Sequence, residues 1–153
     1  MMGTLAGIAR HARTKAPMEV LDHAHVTIDS GIAGDFRGAV KPGGRGRRQV
    51  TLMERRDWDA AMADLDRDIP WQERRVNLLV DGLDLPQAPG AELRIGADVL
   101  VRVTGECDPC SRMETIAPGL KAALTPDWRG GVTATVISGG EIAVGDEIRI
   151  EQS

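Results

Sequence analysis

The chain has 153 residues, 42% hydrophobic and 27% charged, so we expect residues 1–153 to form a single domain with one core. A net charge of −4 and few aromatic residues (three Trp, one Phe, no Tyr) argue against nucleic acid as a partner. The apolar runs are too short to cross a bilayer, and the first residues lack a secretory signal, so we expect a cytoplasmic protein with reduced thiols and no membrane partner.

A basic, glycine-rich stretch, "FRGAVKPGGRGRRQVTLM" (36–53), contains no acidic residue. Its basic residues are Arg37, Lys41, Arg45, Arg47 and Arg48. Glycines among the charges let a ligand approach the backbone closely, and guanidinium groups suit phosphate. The stretch therefore predicts a site for a phosphate or a polyanionic small molecule, and the alternative is a solvated loop.

An amphipathic helix is predicted after a strand in the next part of the chain. The run "RQVTLM" (48–53) has strand character, and "ERRDWDAAMADLD" (54–66) has apolar residues at helical spacing. One stripe of the helix carries Trp58, Ala61, Met62 and Leu65. We expect that stripe to face the core.

The run "RVNLLV" (75–80) predicts another strand with two different faces. Its apolar residues alternate onto one face, whereas Arg75 and Asn77 share the other. A guanidinium group beside a side-chain amide suits an anion with attached hydrogen-bonding ring atoms. The alternative is an outward polar face on an edge strand.

A β-hairpin is predicted over "ELRIGADVLVRVT" (92–104), with its turn at Gly96-Ala97. The residues predicted to point inward are Leu93, Ile95, Val99, Val101 and Val103. Those predicted to point outward are Arg94, Asp98 and Arg102. This alternation is typical of a half-buried strand pair.

Both cysteines lie in "GECDPCSRM" (105–113), which leaves four interpretations open: a redox pair, part of a zinc site, two buried thiols, or one reactive thiol. Zinc needs four ligands, and the three histidines (His11, His23, His25) lie far upstream without finger spacing. A thioredoxin-type pair normally belongs to an α/β fold, whereas this chain is β-rich. Free cysteines are also often buried.

Local charge favours Cys110 as the reactive thiol. Pro109 suits the first position of a short helical turn, which would place Cys110 near unpaired backbone N–H groups and close to Arg112. Cys107 lies beside Glu106 and Asp108, which disfavour its thiolate. The two thiols are therefore not equivalent.

The C-terminal part predicts a short helix and further strands. "PGLKAALT" (118–125) predicts a helix that begins at Pro118. "GVTATVISGGEIAVGDEIRIE" (131–151) predicts a strand, a Gly-Gly turn and a short final strand with Ile148 and Ile150 inward. The whole pattern predicts a mainly β fold (β-rich α+β), a single β-barrel-like domain with a few short helices.

Six segments, in this order, carry a resemblance to a known family. They are "GIAGDFRG", "RRQVTLM", "RRVNLLVDGLDLP", "PGAELRIG", "CDPCSRM" and "RGGVTATVISGGEIAVGDEI", spread over about residues 31–150. This order resembles the MOSC domain, the family named for the C-terminal domain of molybdenum cofactor sulfurase, and the chain looks like a small stand-alone member. The resemblance implies a β-barrel-like fold and binding of the molybdenum cofactor, a pterin with a dithiolene and a phosphate.

The resemblance also implies roles for particular residues. The family's cysteine, which ligates molybdenum or carries sulfur, corresponds to Cys110. Arg48 and Gln49 match the family's "RQ", and Arg75 and Asn77 match its "R-x-N". The remaining matches are Gly31, Gly34 and Asp35 in "G-x-x-GD", and Arg129, Gly130 and Gly131 in "RGG". The cofactor-binding residues expected on these grounds are Arg45, Arg48, Gln49, Arg75, Asn77, Arg112 and Arg129, with Cys110 as metal ligand and catalytic residue.

The chain departs from the family at one motif. Members often have a basic residue and then a histidine after "GD", whereas this chain has Phe36-Arg37. Larger relatives also carry a pyridoxal-phosphate sulfurase domain or a β-barrel N-terminal domain that this sequence lacks. The three lysines, Lys15, Lys41 and Lys121, lie in no recognisable pyridoxal-phosphate site, so we do not expect that cofactor here.

These observations lead to two expected functions. The first is a molybdenum-dependent oxidoreductase that reduces a small substrate such as an N-hydroxylated base, with electrons from a separate donor protein. The second is a non-enzymatic carrier of a persulfide or of the molybdenum cofactor, supplied by a sulfur-donor protein. A dithiol oxidoreductase ranks third. No catalytic base is obvious, because the three histidines all precede the family motifs.

Overall fold

The computed structural model describes residues 2–13, 15–36, 38, 44 and 46–151, and these residues form a mainly β domain. The strands are β1 (Met2–Arg10), β2 (Glu19–Leu21), β3 (His23–Thr27), β4 (Gly31–Ile32), β5 (Val50–Glu54), β6 (Leu78–Asp81), β7 (Glu92–Ile95), β8 (Val99–Glu106), β9 (Val132–Ser138), β10 (Gly140–Ala143) and β11 (Glu147–Glu151). The helices are α1 (Arg55–Leu65), α2 (Arg112–Ile116) and α3 (Leu120–Leu124). The described helices are all too short and too polar to cross a membrane.

Seven strands close into a barrel. Their order is β11-β7-β8-β9-β5-β6-β1, and β1 pairs back with β11 through Met2↔Arg149 to Thr4↔Glu147. β2 adds to the sheet beside β1, and β10, β3 and β4 form a separate three-stranded sheet. The predicted β-barrel-like fold is confirmed. Within the barrel β5 and β6 run parallel, so their starts lie at one end and their ends at the other.

The barrel encloses the main core, and the predicted hairpin is part of it. All five hairpin residues expected to point inward are buried, and β7 pairs antiparallel with β8 as predicted. Ile148 is buried and Ile150 packs against the same core at its edge. Two strands, where one was predicted, follow the Gly-Gly turn. The first, β10, pairs with β3 outside the barrel, and the second, β11, pairs with β7 within the barrel.

A second core lies outside the barrel, where the helices cover β5 and β6. The predicted stripe of α1 is buried through Trp58, Ala61 and Met62, with Leu65 packed alongside. Met53 of β5 and Leu79 of β6 face this layer, so these two strands are buried on both faces. The helix predicted from Pro118 begins at Leu120 instead, after Gly119 with a φ of 86°.

The sequence did not predict β1, although it is central to the barrel. Its two glycines resemble turn residues in the sequence, but their function is close packing. A Cβ at Gly7 would lie 2.5 Å from the Trp71 ring, and one at Gly3 would lie 2.6 Å from the Asp81 carbonyl oxygen. Glycine in this strand therefore permits close approach of its neighbours.

Candidate functional site

A cavity of about 130 Å³ opens near the starts of the parallel strands β5 and β6. Its lining combines positive charge with one thiol and one carboxylate. The lining residues are Arg48, Arg74, Arg75, Arg112, Cys110, His11, Asp35, Thr51, Asn77 and Met113, which together form what we call the arginine pocket. Of the residues predicted for the site, it brings together Arg48, Arg75, Asn77, Cys110 and Arg112.

Cys110 is exposed and lines the pocket, as the prediction of a reactive thiol requires. It lies between the end of β8 and the start of α2, and its carbonyl oxygen accepts a hydrogen bond from Met113 N at 2.9 Å. The helix begins at Arg112 after Ser111, so the prediction that Pro109 occupies the first helical position is wrong. Cys110 still directly precedes the helical turn.

Cys107 is fully buried, and the two thiols are indeed inequivalent. Its Sγ accepts long contacts of 3.5 Å from Arg48 Nη2 and from Arg74 Nη2. That Glu106 and Asp108 disfavour the Cys107 thiolate stays a prediction. Burial, then a hydrogen bond that protonated Glu106 donates to the Asp108 carboxylate, and the negative charge of Asp108 raise the pKa of Glu106.

Arg74 joins the cysteine segment to the "RGG" segment, and sequence reasoning did not single it out. Its buried Nη2 donates to the carbonyl oxygens of Cys107 at 2.9 Å and of Gly130 at 3.0 Å. It ends a 3₁₀ turn over Trp71–Arg74. The only sequence signal was its position beside Arg75 in "RRVNLLV".

Arg75 and Asn77 both line the pocket, but not as two residues of one strand face. Arg75 has a φ of 70°, and β6 begins only at Leu78, so that part of the prediction is wrong. Asn77 Oδ1 accepts from Thr51 N at 3.0 Å, and its Nδ2 donates to the Ala9 carbonyl oxygen at 3.1 Å. Asn77 thereby holds the neighbouring strands β5 and β1 in place around the pocket.

Two of the predicted cofactor-binding residues lie outside the pocket, and a third is not described. The buried Gln49 accepts at Oε1 from Val136 N at 2.8 Å and donates from Nε2 to the Ile28 carbonyl oxygen, so its amide connects structural elements. Arg129 pairs with Asp64 at 2.7 Å, on the side of α1. Arg45, like the other basic residues Arg37 and Lys41, lies outside the described residues.

His11 and Asp35 are pocket residues whose association the sequence did not reveal. His11 follows β1 directly, its ring is buried, and its Nδ1 lies 3.4 Å from Asp35 Oδ1. The same carboxylate oxygen accepts from His11 N at 3.1 Å. Asp35 belongs to the "GD" motif, but His11 lies 24 residues upstream of it, and only the fold brings the two together.

The pocket carries uncompensated positive charge. In the part of the chain that the structure describes, no carboxylate lies within ion-pair distance of Arg48, Arg74 or Arg112. Among the described lining residues Asp35 is the one carboxylate. Guanidinium groups held together without counter-charges favour an anionic ligand.

Comparison with known proteins identifies the family. The profile of the MOSC domain matches residues 33–149, which is most of the chain. The chain belongs to the MOSC domain family. The resemblance read from the six segments is thereby confirmed.

Solved structures support the same fold for this MOSC domain. The YuaD protein from Bacillus subtilis matches with a TM-score of 0.79 and 19% identity, over 100% of this chain and 97% of its own. YiiM from Escherichia coli matches with 0.72 and 14%, over 100% of this chain and 71% of its own. YiiM from Geobacillus stearothermophilus matches with 0.65 and 16%, over 99% and 76%. No curated protein sequence matches the chain significantly.

The MOSC domain has a second, acidic cleft near the ends of β5 and β6. Its charged lining consists of Glu54, Asp57, Asp84, Asp127, Arg56 and Arg129, and we call it the acidic cleft. Glu54 is buried and accepts from Leu85 N at 3.2 Å and from Arg56 Nη2 at 3.1 Å. Burial and then the charge of Asp57 raise the pKa of Glu54 to about 7.

Proposed function

We propose that this MOSC domain binds the molybdenum cofactor in the arginine pocket and acts as an oxidoreductase on small N-hydroxylated substrates. The observation that carries the proposal is that an exposed thiol, Cys110, lies in one pocket with Arg48, Arg74 and Arg112. In the part of the chain that the structure describes, these three guanidinium groups have no carboxylate within ion-pair distance. A thiolate is a soft metal ligand, and guanidinium groups bind phosphate. The pocket thus offers a donor for each end of such a cofactor.

The chemistry of the donor set fits the cofactor, although the pocket is small. A volume of about 130 Å³ lies below the range of roughly 300–1,000 Å³ that is usual for ligand pockets. The described walls therefore suit the metal end or the phosphate of the cofactor rather than the whole pterin. Arg74 Nε is buried and has no hydrogen-bond partner among the described residues, so it has a donor to offer such a group.

The protein residues would bind and orient the cofactor and substrate. Cys110 Sγ would ligate the metal, while Arg48, Arg75 and Arg112 would neutralise the phosphate and the dithiolene. The bound cofactor would supply the two electrons of the reduction. Electrons would come from a separate donor protein.

The second candidate function is a carrier of a persulfide or of the cofactor. It is favoured by the exposure of Cys110, because an exposed thiol can be reached by another protein. Dithiol exchange, the third candidate, requires attack on a disulfide that includes Cys107, and the burial of Cys107 disfavours this reaction.

Metal and pterin analysis of protein from a cofactor-competent host tests the proposal. We expect molybdenum and pterin in the wild type, a loss of molybdenum in Cys110→Ser, and retention in the matched variant Cys107→Ser. Wild-type protein without molybdenum, or equal molybdenum in Cys110→Ser, would contradict the proposal. Cyanide-releasable sulfur on metal-free protein, lost in Cys110→Ser only, would instead establish the carrier.

A further inference from the structure

The arginine pocket contains a buried histidine, His11, and a buried carboxylate, Asp35, to which the proposed function assigns no role. His11 is 4% exposed and Asp35 is 6% exposed, and both line the same pocket as Cys110. A buried His–Asp pair in a cavity otherwise lined by arginine is an expensive arrangement unless it serves the ligand or the reaction.

The surroundings fix the orientation of the imidazole ring. Nδ1 lies 3.4 Å from Asp35 Oδ1, so Nε2 is the ring nitrogen on the side away from Asp35. The backbone holds the pair together, because His11 N donates to Asp35 Oδ1 at 3.1 Å and Phe36 N donates to the His11 carbonyl oxygen at 2.8 Å. The Phe36 ring also packs on His11, with 6.0 Å between ring centroids. A carboxylate within ion-pair distance of Nδ1 favours the neutral tautomer protonated at Nδ1, so Nε2 is the nitrogen that gains and loses a proton, and the carboxylate stabilises the imidazolium.

We propose that His11 is the proton donor of the reaction in this pocket and that Asp35 is its positioning residue. This inference rests on the proposed function and adds to it the group that delivers the proton. Reduction of an N-hydroxyl group follows R–NHOH + 2e⁻ + 2H⁺ → R–NH₂ + H₂O. The two electrons come from the reduced molybdenum cofactor, which a donor protein reduces again.

His11 acts at the oxygen that leaves. The proton moves from Nε2 of the imidazolium to the hydroxyl oxygen, the N–O bond breaks, and the oxygen departs as water. The leaving water takes the N–O bonding pair, and the substrate nitrogen receives the two electrons of the reductant and takes the second proton from solvent. Solvent then protonates His11 again. A hydroxide ion is a poor leaving group, so protonation by a positioned acid is worth about 10²–10⁴ in rate.

The charges around His11 set the direction of the pH dependence. The titratable and charged groups that share its pocket are Asp35, Arg48, Arg74, Arg75, Cys110 and Arg112. Asp35 favours the imidazolium, whereas the arginines oppose it. Because His11 donates its proton, kcat is expected to fall as pH rises through the His11 titration.

An NMR titration of cofactor-free protein tests the pair without any activity assay. The protein has three histidines, and two of them, His23 and His25, are exposed. The signals that disappear in His23→Gln and His25→Gln are assigned to these two residues, so the remaining histidine signal belongs to His11. We expect Asp35→Asn to move the titration midpoint of His11 to lower pH by about one unit, and inorganic phosphate to move it to higher pH. His23 and His25 should respond to neither. A His11 signal that ignores both changes overturns the inference.

The kinetic test uses molybdenum-loaded protein, a chemical reductant and an aromatic N-hydroxylated amidine. We expect His11→Gln to lower kcat by about 100-fold with little change in KM, to remove the alkaline decline, and to retain wild-type molybdenum. Asp35→Asn should move the decline to lower pH, and His25→Gln should match the wild type. Equal kcat and pH profile in loaded His11→Gln overturns the inference alone, whereas wild-type protein that binds no molybdenum overturns the proposed function and the inference with it.

Discussion

The two ends of the parallel strands β5 and β6 have opposite charge. Arg48 and Arg75 precede these strands and line the arginine pocket, whereas Glu54 and Asp84 lie at or after their ends and line the acidic cleft. At the acidic cleft Arg56 pairs with both Glu54 and Asp84. At the arginine pocket Arg74 is anchored instead by backbone carbonyl oxygens.

The difference shows how a protein of net charge −4 keeps a cationic site. Backbone carbonyl oxygens accept the hydrogen bonds of a guanidinium but carry no net charge, so its positive charge stays available to a ligand. A carboxylate accepts the hydrogen bonds and also neutralises the charge. In the acidic cleft the charge of Arg56 is therefore taken up by carboxylates, whereas the arginine pocket is left to attract an anion. Four predictions test this distinction.

The largest effect is expected for Arg74→Met. The substitution leaves two carbonyl oxygens, of Cys107 and Gly130, without their guanidinium donor. We expect the free energy of unfolding to fall by about 4 kcal/mol, measured by urea denaturation. The matched control is Arg112→Met, which removes the same charge from the pocket and should change stability by less than about 0.5 kcal/mol. Equal effects of the two substitutions would mean that the loss of positive charge, and not the loss of hydrogen bonds to the backbone, determines the change in stability.

At the acidic cleft, Glu54 should make stability depend on pH. Its folded pKa of about 7 exceeds the ordinary glutamate value of 4.5, so between these pH values the unfolded state loses the proton while the folded state keeps it. Stability should therefore fall as pH rises from about 4.5 to 7, by about 2 kcal/mol after allowance for solvent screening. Glu54→Gln should abolish this decline and the exposed control Asp59→Asn should keep it, as urea denaturation across this pH range will show.

A smaller effect is expected where the "RGG" segment touches the cysteine segment. A Cβ at Gly130 would lie 2.7 Å from the Cys107 carbonyl oxygen and 3.0 Å from Arg74 Nη2. Gly130→Ala should thus displace the Arg74 guanidinium from the Cys107 carbonyl oxygen and lower the free energy of unfolding by about 1.5 kcal/mol. Gly105→Ala, whose Cβ meets nothing within 4 Å, is the control and should be close to neutral. Equal thermal and urea stability of the two variants would show that Arg74 can move to make room for the added methyl group without loss of stability.

The smallest effect is expected for Arg56→Met. Arg56 is exposed and pairs with the buried Glu54 and the exposed Asp84, so screening and the entropy of its own side chain cancel most of the gain. Its free energy of unfolding at pH 8 should equal that of the wild type within error. A loss as large as that of Arg74→Met would remove the distinction between the two ends.

Local patterns in the sequence were sufficient to predict much of the fold. The hairpin and α1 were predictable because alternation and helical spacing both report burial directly. β1 was not, because Gly3 and Gly7 reflect contacts with Asp81 and Trp71 that are distant in the sequence. Tertiary packing decided that strand, not local propensity.

The candidate site was predictable only where a motif contains the residue. Arg48, Arg75 and Cys110 lie within family motifs, and the structure brings them into one pocket. His11 lies outside every motif. Arg74 lies beside Arg75 in the sequence, and its hydrogen bonds to Cys107 and Gly130 depend on the fold. Gln49 lies in a motif but uses its amide to join strands, since a buried amide needs partners at both ends.

The pairing of β1 with β11 has a consequence for synthesis on the ribosome. Met2–Thr4 are synthesised long before Glu147–Arg149, so β1 must wait for its partner strand β11. Until then the nascent chain keeps an open strand edge, a state that other chains can pair with. Such a long-range closure also predicts slow folding. Chaperones that bind this strand edge during translation should raise the yield of native protein.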